Sequence, residues 1–260
     1  MRPLCSFTGF PDQIVATAIH AGHELRSAIS ARTALDDATR LREEDPRTDL
    51  LTSIGGATVE VHRSRFEVDL NRPREQAVYR VPDDAWGLEL WTEPLADDEV
   101  EHSLVSYDEF YTELARRLDD AAARGSFVLL DLHSYNHRRD GASAPPAPAD
   151  GNPDVNVGTG SLDREVWGGV VDRFMTDVAA YEVAGARLDV RENVRFRGGE
   201  LSRWVNTRYR DRGCALAIEF KKTFMDEWTG TVDQRRLEAL RNALAFAVPG
   251  LRAAVARAAK

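Results

Sequence analysis

The stretch Phe127–Arg139, FVLLDLHSYNHRR, decides the fold. Its short apolar start, which runs into Asp131 and His133, is typical of a buried strand. A strand ending in Asp-x-His places an imidazole at the edge of a sheet, where open α/β folds bind ligands. Because side chains alternate along a strand, Asp131 lies on the same side as His133 and could orient its ring. The alternative is a core histidine that caps a strand, and the neighbouring segments bear on the choice.

Segments before and after this strand alternate between strand and helix patterns. Ser106–Arg124 has apolar residues at helical spacing and ends at Gly125. Strands are also predicted at Ile14–Ile19, Thr58–His62, Ser64–Leu70, Asp154–Gly160, Val190–Phe196 and Ala215–Phe220, and helices at Ser30–Arg42, Asp163–Val183 and Val232–Lys260, the last interrupted at Pro249-Gly250. This alternation predicts a single three-layer α/β/α domain over residues 1–260, with helices on both faces of a mixed, mostly parallel sheet.

Composition narrows the classes of function. The 260 residues are 43% hydrophobic and 30% charged, enough for one large domain with a full core. A net charge of −9 disfavours a nucleic-acid binder, and no apolar run approaches the roughly 18 residues of a membrane span. The first residues show no signal-peptide core, and Cys5 and Cys214 share no motif. We therefore expect a cytoplasmic protein with reduced thiols, no membrane or nucleic-acid partner, and an oligomeric state that the sequence leaves open.

A histidine-rich turn, HAGHE, directly follows the strand Ile14–Ile19. His20 and His23 are three residues apart, so both can face one cation if the turn adopts a helical geometry. Glu24, one residue later, is the competing ligand. Asp45 lies on an acidic loop and could also enter the site, although such a loop is more often simply solvated.

Two further strand ends carry polar residues of the kind used in active sites. Asn71 and Arg72 follow a predicted strand, and because arginine binds a carboxylate through two parallel hydrogen bonds, they form a natural carboxylate clamp. A plain surface turn is the alternative. Glu219 lies inside the apolar strand Ala215–Phe220, where a carboxylate is destabilising unless it has a partner or works beside a metal. A structural ion pair with an arginine is the alternative for Glu219.

Taken in order, these segments resemble the N-formylglutamate amidohydrolase family and, more distantly, the zinc carboxypeptidases and the aspartoacylase-type deacylases. The resemblance covers roughly residues 20–227. DLHSY at 131–135 is similar to the segment that supplies the later zinc histidine of carboxypeptidases, and DLNR at 69–72 to the substrate-carboxylate segment of the deacylases. IEFKKTFMDE at 218–227 and FRGGELSR at 196–203 resemble the formylglutamate family's segments with the catalytic glutamate and the Gly-Gly pair.

The resemblance implies a zinc-carboxypeptidase-like, phosphorylase/hydrolase-like fold and a zinc-dependent amidohydrolase with one Zn²⁺ per chain. The implied reaction is cleavage of the amide bond of an N-acyl amino acid such as N-formylglutamate. His20 and His133 are the implied zinc ligands. The broader superfamily uses His-x-x-Glu for its first two ligands, but that spacing lands here on His23, with Glu24 one position late, so both stay candidates. Glu219 is the implied general base, taking the proton of water and passing it to the leaving amine.

The remaining expectations concern the substrate. Asn71 and Arg72 are expected to hold its carboxylate, and Arg74 and Arg203 are further candidates for a second carboxylate or the oxyanion. Two other functions stay open, a zinc carboxypeptidase acting on short peptides and a non-catalytic small-molecule binding protein on the same fold. Activity on dipeptides rather than N-acyl amino acids would identify the first, and the intact set of predicted site residues argues against the second.

Overall fold

The strand at the centre of the sheet is β4 (Phe127–Tyr135), and every one of its residues is buried. The structure is a computed structural model that describes residues 2–258. Its other strands are β1 (Cys5–Thr8), β2 (Ile14–Ala18), β3 (Ala57–Val61), β5 (Val155–Gly158), β6 (Glu182–Val183), β7 (Ala186–Arg187), β8 (Val190–Glu192) and β9 (Gly213–Lys221). The central sheet has the order β1-β3-β2-β4-β9-β5-β8, while β6 and β7 form a separate hairpin. Within the sheet, only β1–β3 and β5–β9 are antiparallel pairs, which confirms the mixed, mostly parallel prediction.

Helices cover both faces of this sheet, as the alternating pattern predicts. They are α1 (Ser27–Arg32), α2 (Asp37–Glu43), α3 (Thr48–Leu51), α4 (Asp97–Arg124), α5 (Arg164–Ala180), α6 (Glu200–Arg208) and α7 (Gln234–Ala258). One apolar core lies between the sheet and α3, α5 and α7, and a second lies between the sheet and α4 and α6. Within residues 2–258, no helix combines the length and apolarity needed to cross a membrane.

Successive side chains of the central strands point to opposite faces of the sheet, and this places the apolar and the ionisable side chains. Leu130 and Leu132 of β4 enter the core beneath α5 and α7, whereas Leu129 enters the core beneath α4 and α6. With a period of two, His133 of β4 and Glu219 of β9 point to the same side as Leu129. The chemistry-bearing residues of the sheet therefore lie on the α4 and α6 side.

The strand predicted at Ser64–Leu70 is wrong, because the chain turns there. The backbone N–H groups of residues 67 and 68 both donate to the Ser64 carbonyl. Ion pairs join Arg63 to Glu67 and Arg65 to Asp69, each four residues apart. Residues four apart lie side by side on a helical turn but about 13 Å apart along a strand. The two ion pairs between residues four apart therefore favour a helical turn over a strand in this segment.

The predicted helices differ from the structure in their boundaries. Helix α4 begins at Asp97, well before the predicted start at Ser106, and α5 ends at Ala180 because Glu182–Val183 form β6. The segment Ser30–Arg42 contains parts of two short helices, α1 and α2, and α2 begins where the Asp36 side chain accepts a hydrogen bond from the Thr39 N–H. The predicted interruption at Pro249 is also wrong, since α7 runs through it. Gly250 is buried against α5, and a Cβ there would lie 2.2 Å from Asp177 Oδ2. Close packing against α5 thus supports α7 as a continuous helix. The last two residues of the predicted helix, 259–260, lie outside the described range.

Candidate active site

Three buried side chains meet at the carboxyl ends of β2 and β4. His20 follows β2, His133 lies near the end of β4, and these two strands are parallel neighbours. Asp45 comes from the turn between α2 and α3. Its Oδ2 lies 3.4 Å from His20 Nδ1 and 2.9 Å from His133 Nδ1. One ligand atom from each residue can be chosen so that all lie within 4.8 Å of one another, which is a suitable arrangement for a metal ion.

Each imidazole turns its second nitrogen towards another buried carboxylate. His20 Nε2 lies 2.7 Å from Asp69 Oδ1, and His133 Nε2 lies 3.0 Å from Asp131 Oδ2, so Asp131 has the orienting position expected from the sequence. A neutral histidine that donates from Nε2 keeps the Nδ1 lone pair for a cation. Both Nδ1 atoms face the Asp45 carboxylate, so two nitrogens and one oxygen are available on one side of the group. Three such ligands with a free position form the donor set of a catalytic zinc site.

Further hydrogen bonds hold these carboxylates in place. Asp131 accepts a hydrogen bond from Thr17 Oγ1 at 2.8 Å. Asp69 accepts from Arg65 Nη2 at 2.7 Å and from the Tyr79 hydroxyl. The imidazoles are therefore oriented by groups that are themselves fixed.

The charges of this group depend strongly on one another. Burial alone would lower the pKa of His133, but Asp131 and Asp45 beside it outweigh burial and raise that pKa well above its usual value. Burial would raise the pKa of Asp45, but its hydrogen bonds to His133 and His20 hold that pKa far below its usual range. Without a metal, these carboxylates therefore favour the cationic form of His133, which has a proton on both ring nitrogens. A cation that binds Nδ1 must displace the proton on that nitrogen.

Glu219 is a fourth buried ionisable group at the site. It lies beside His133 in the register of the parallel strands β4 and β9. Burial raises its pKa to about 7, while the neighbouring His133 opposes that rise. No arginine or lysine of residues 2–258 forms an ion pair with it, so the structural ion pair considered from the sequence is not found there. A carboxyl group with a pKa near neutrality can accept and return a proton at physiological pH.

A cavity of about 390 Å³ opens in front of these groups. Its walls include His20, Asp45, His133 and Glu219. Five arginines also line it: Arg65, Arg72, Arg139, Arg195 and Arg197. Arg65 pairs with Asp69, but in the described part of the chain the other four have no carboxylate partner. In a protein with a net charge of −9, such a cluster favours an anionic ligand.

Asn71 and Arg72, the predicted carboxylate clamp, both line this cavity. Asn71 Nδ2 lies 3.4 Å from His133 Nε2, and its Oδ1 accepts a hydrogen bond from the Leu201 N–H at the start of α6. Gly199 makes this approach possible, because a Cβ there would lie only 2.3 Å from Asn71 Oδ1. The Gly-Gly segment thus brings α6 against the clamp.

The two other substrate candidates lie elsewhere. Arg74 binds Asp108 through Nε at 2.7 Å and Nη2 at 2.8 Å, and Arg203 binds Glu200 within α6. Neither arginine lines the cavity, and both side chains are about half exposed. Their positive charges are already used by local carboxylates, so the structure does not bring them to the site. The cavity is lined instead by the arginines at 139, 195 and 197, which the sequence did not indicate as site residues.

His23 and Glu24, the two candidates for the second ligand, also lie outside the group. His23 Nδ1 is 2.6 Å from Glu44 Oε2, and the half-exposed Glu24 carboxylate faces Arg2 at 3.8 Å. The expected helical turn after His20 does not form. A Cβ on Gly22 would lie 2.3 Å from the carbonyl carbon of residue 62, so this segment runs pressed against residues 62–63 and cannot coil. The third member of the group is Asp45, for which the sequence left open both entry into the site and a solvated loop.

The arrangement suits hydrolysis, and the relatives of the chain are hydrolases that act on amides. The chain belongs to the N-formylglutamate amidohydrolase family, whose sequence profile matches residues 12–225.

Individual relatives are similar to this chain in sequence or in fold. An N-formylglutamate deformylase of Pseudomonas aeruginosa is 28% identical over 226 residues, which cover 80% of each chain. The crystal structure of an N-formylglutamate amidohydrolase from Ralstonia eutropha JMP134 superimposes with a TM-score of 0.74 at 18% identity, covering 98% of this chain and 99% of the other. A gene product of Agrobacterium tumefaciens gives a TM-score of 0.64 at 14% identity, with 96% and 95% covered. These two structures share the fold of this chain over nearly its whole length.

Proposed function

We propose that this protein is a zinc-dependent amidohydrolase that removes the acyl group of an N-acyl amino acid, with N-formylglutamate as the expected substrate. The observation that carries the proposal is the buried group of His20, Asp45 and His133 beside Glu219 in a cavity lined by arginines. Family membership supports the same reaction class.

The donor set fits a zinc ion. Two imidazole nitrogens and one carboxylate oxygen are ligands that zinc accepts, and each imidazole has a carboxylate behind it. When bound, zinc would polarise the amide carbonyl and make water acidic enough to attack it near neutral pH. His20, Asp45 and His133 would hold the ion.

Glu219 would move the proton. Its carboxylate accepts a proton from the attacking water as the water oxygen bonds to the carbonyl carbon. The same proton then goes to the amine nitrogen as the carbon–nitrogen bond breaks. For an N-formyl substrate the products are formate and the free amino acid. Burial favours the protonated form of Glu219, which makes its carboxylate a stronger base for taking the proton from water than an exposed carboxylate.

The unpaired arginines would bind the substrate. Asn71 and Arg72 are suited to one carboxylate, and Arg195 is suited to a second. Arg195 lies over the Tyr135 ring, at 5.4 Å, and its Nη1 donates to Asn152 Oδ1 at 2.9 Å. Its guanidinium is therefore held in place before a ligand arrives, which lowers the entropy lost on binding. Two separate anion sites favour an amino acid with a carboxylate side chain.

Metal analysis followed by a substrate panel tests this proposal. Protein purified without chelator should contain about one zinc per chain. Formate release should be fastest from N-formylglutamate, slower from N-formylmethionine, which lacks the second carboxylate, and slow for N-acetylglutamate or dipeptides. Hydrolysis of dipeptides without deformylation would instead indicate the carboxypeptidase. Tight binding of N-formylglutamate without turnover would indicate the non-catalytic binding protein.

A further inference from the structure

The three members of the metal group are supported very differently. His20 and His133 are carried by neighbouring strands of the central sheet, whereas Asp45 lies on a turn between two short helices. The backbone of that turn is tied to the strand side by the hydrogen bond from the Asp45 N–H to the His20 carbonyl, at 2.9 Å. A ligand on a loop needs additional support if its carboxylate is to stay in place.

Lys222 supplies support from one side. Its Nζ donates to the carbonyl oxygens of Arg42 and Glu44, both at 2.6 Å. These two hydrogen bonds fix the backbone just before Asp45. The side chain is only 1% exposed, and in residues 2–258 no carboxylate lies within ion-pairing distance of its Nζ. Lys222 borders the cavity, and burying its ammonium there without a paired carboxylate is unfavourable unless other groups accept its hydrogen bonds. Its use here is therefore better explained by the two carbonyls that it holds.

Support from the other side reaches the same segment through Glu44. The Glu44 side chain is fully buried, and its two oxygens accept hydrogen bonds from Ser64 Oγ and from His23 Nδ1. Asn136 Nδ2 adds a hydrogen bond to the Arg42 carbonyl at 2.9 Å. We call the four residues Lys222, Ser64, His23 and Asn136 the Asp45 brace.

We propose that the Asp45 brace, and Lys222 in particular, positions Asp45 and thereby sets the affinity of the site for its metal. This inference rests on the proposed function for the presence of the metal. It also gives His23 a role that differs from the ligand role suggested by the sequence. The brace residues act through residues 42–44 and need not touch the ion.

Charge and position act in opposite directions at Lys222, which allows a sharp test. Removing the ammonium removes a positive charge near a cation, and that change alone would tighten metal binding. Losing the hydrogen bonds from Lys222 to the backbone of residues 42–44 would weaken metal binding. Ser64→Ala loosens the same segment without changing the charge of the side chain. Lys221→Met is the matched control for Lys222→Met, because Lys221 pairs with Asp154 at 3.1 Å and does not line the cavity.

The experiment measures two quantities on the full chain. The first is amide hydrogen exchange in the metal-free protein over residues 40–48. The second is the zinc dissociation constant, from competition with a chromophoric chelator. Exchange should be faster in Lys222→Met and Ser64→Ala than in wild type and Lys221→Met. The zinc dissociation constant should rise about 10- to 100-fold in both brace variants, the range found when residues that support metal ligands are removed.

Each other outcome has a defined meaning. Unchanged exchange over residues 40–48, or zinc affinities equal to wild type in both variants, overturns the brace. So does tighter zinc binding in Lys222→Met with wild-type affinity in Ser64→Ala, since charge alone would then account for Lys222. If Lys222→Met does not fold, Ser64→Ala and His23→Gln carry the same comparison. If the wild type binds no zinc, the proposed function fails, while exchange in the metal-free proteins still decides whether the brace holds the turn.

Discussion

The cavity has two halves that are built differently. In the metal half, His20, Asp45 and His133 are 2–4% exposed, and both imidazoles are backed by carboxylates. In the arginine half, which consists of Arg72, Arg139, Arg195 and Arg197, the described chain offers the guanidinium groups no carboxylate partner, and all except Arg72 are largely exposed. Under the proposed function, internal partners fix the groups that would hold the metal, and the arginines without carboxylate partners would bind the anionic substrate. The two halves should therefore respond differently to substitution.

The largest effect is expected for His133→Ala. This change removes one ligand and leaves Asp45 and Asp131 without their shared partner, so the protein should lose its metal and its activity together. Metal analysis after desalting, alongside turnover, measures this. His102→Ala, at an exposed position of α4, is the control. Full metal occupancy in His133→Ala would remove His133 from the site.

Glu219→Gln should be nearly as damaging to turnover but should leave the metal in place. The amide keeps the shape of the side chain and cannot accept a proton, so kcat should fall on the order of 10²- to 10⁴-fold. Zinc content and Tm should change little, because no arginine or lysine in the described part of the chain forms an ion pair with Glu219 that the substitution would break. A destabilised variant with normal turnover per folded molecule would show that Glu219 is structural.

In the arginine half, Arg72→Lys should act on binding. The substitution keeps the charge but loses the planar pair of donors. KM should rise about 10- to 100-fold, the equivalent of roughly 1.5–3 kcal/mol for a charged hydrogen bond, while kcat and metal content change less. Arg203→Lys, outside the cavity, is the control and should have wild-type kinetics. Equal effects of the two changes would contradict the assignment of Arg72 to the cavity's anion site.

The smallest effect is the response of metal binding to pH. The carboxylates around His133 raise its pKa well above the usual value in the metal-free protein, which favours the cationic ring, and the proton on Nδ1 must leave when that nitrogen binds a cation. Zinc affinity should therefore increase as pH rises, by up to about tenfold per pH unit for release of one proton. Calorimetric titrations in buffers with different ionisation enthalpies count the protons released. Affinity that is independent of pH would show that His133 is neutral before the metal arrives.

Sequence patterns predict the sheet-borne part of the site well. Apolar runs identify β4 and β9, and a period of two then places His133 and Glu219 on one side. Such predictions need only local information. Arg195 is different, since it follows a short edge strand and nothing in its local sequence indicates that it reaches the cavity.

The loop-borne part depends on contacts that no local pattern contains. Whether the turn after His20 coils depends on how closely Gly22 approaches residues 62–63. That contact keeps His23 out of the metal group, and the third place is taken by Asp45 from a different loop. The acidic run that contains Asp45 was a visible signal, but solvated acidic loops share it. Only the partners of its neighbour Glu44 distinguish the two cases.

The spacing of the three metal-group residues along the chain has a consequence for folding. Asp45 and His133 are 88 residues apart in sequence, and Asn71 binds a backbone group 130 residues away. His133 reaches His20 and Asp45 only when β4 has paired with β2, so the complete set of three ligand atoms needs the assembled sheet. The entropy of closing these long loops must be overcome by the sheet itself. An ion at this site would therefore stabilise only the completed fold, and its uptake during refolding would report the last step of assembly rather than the first.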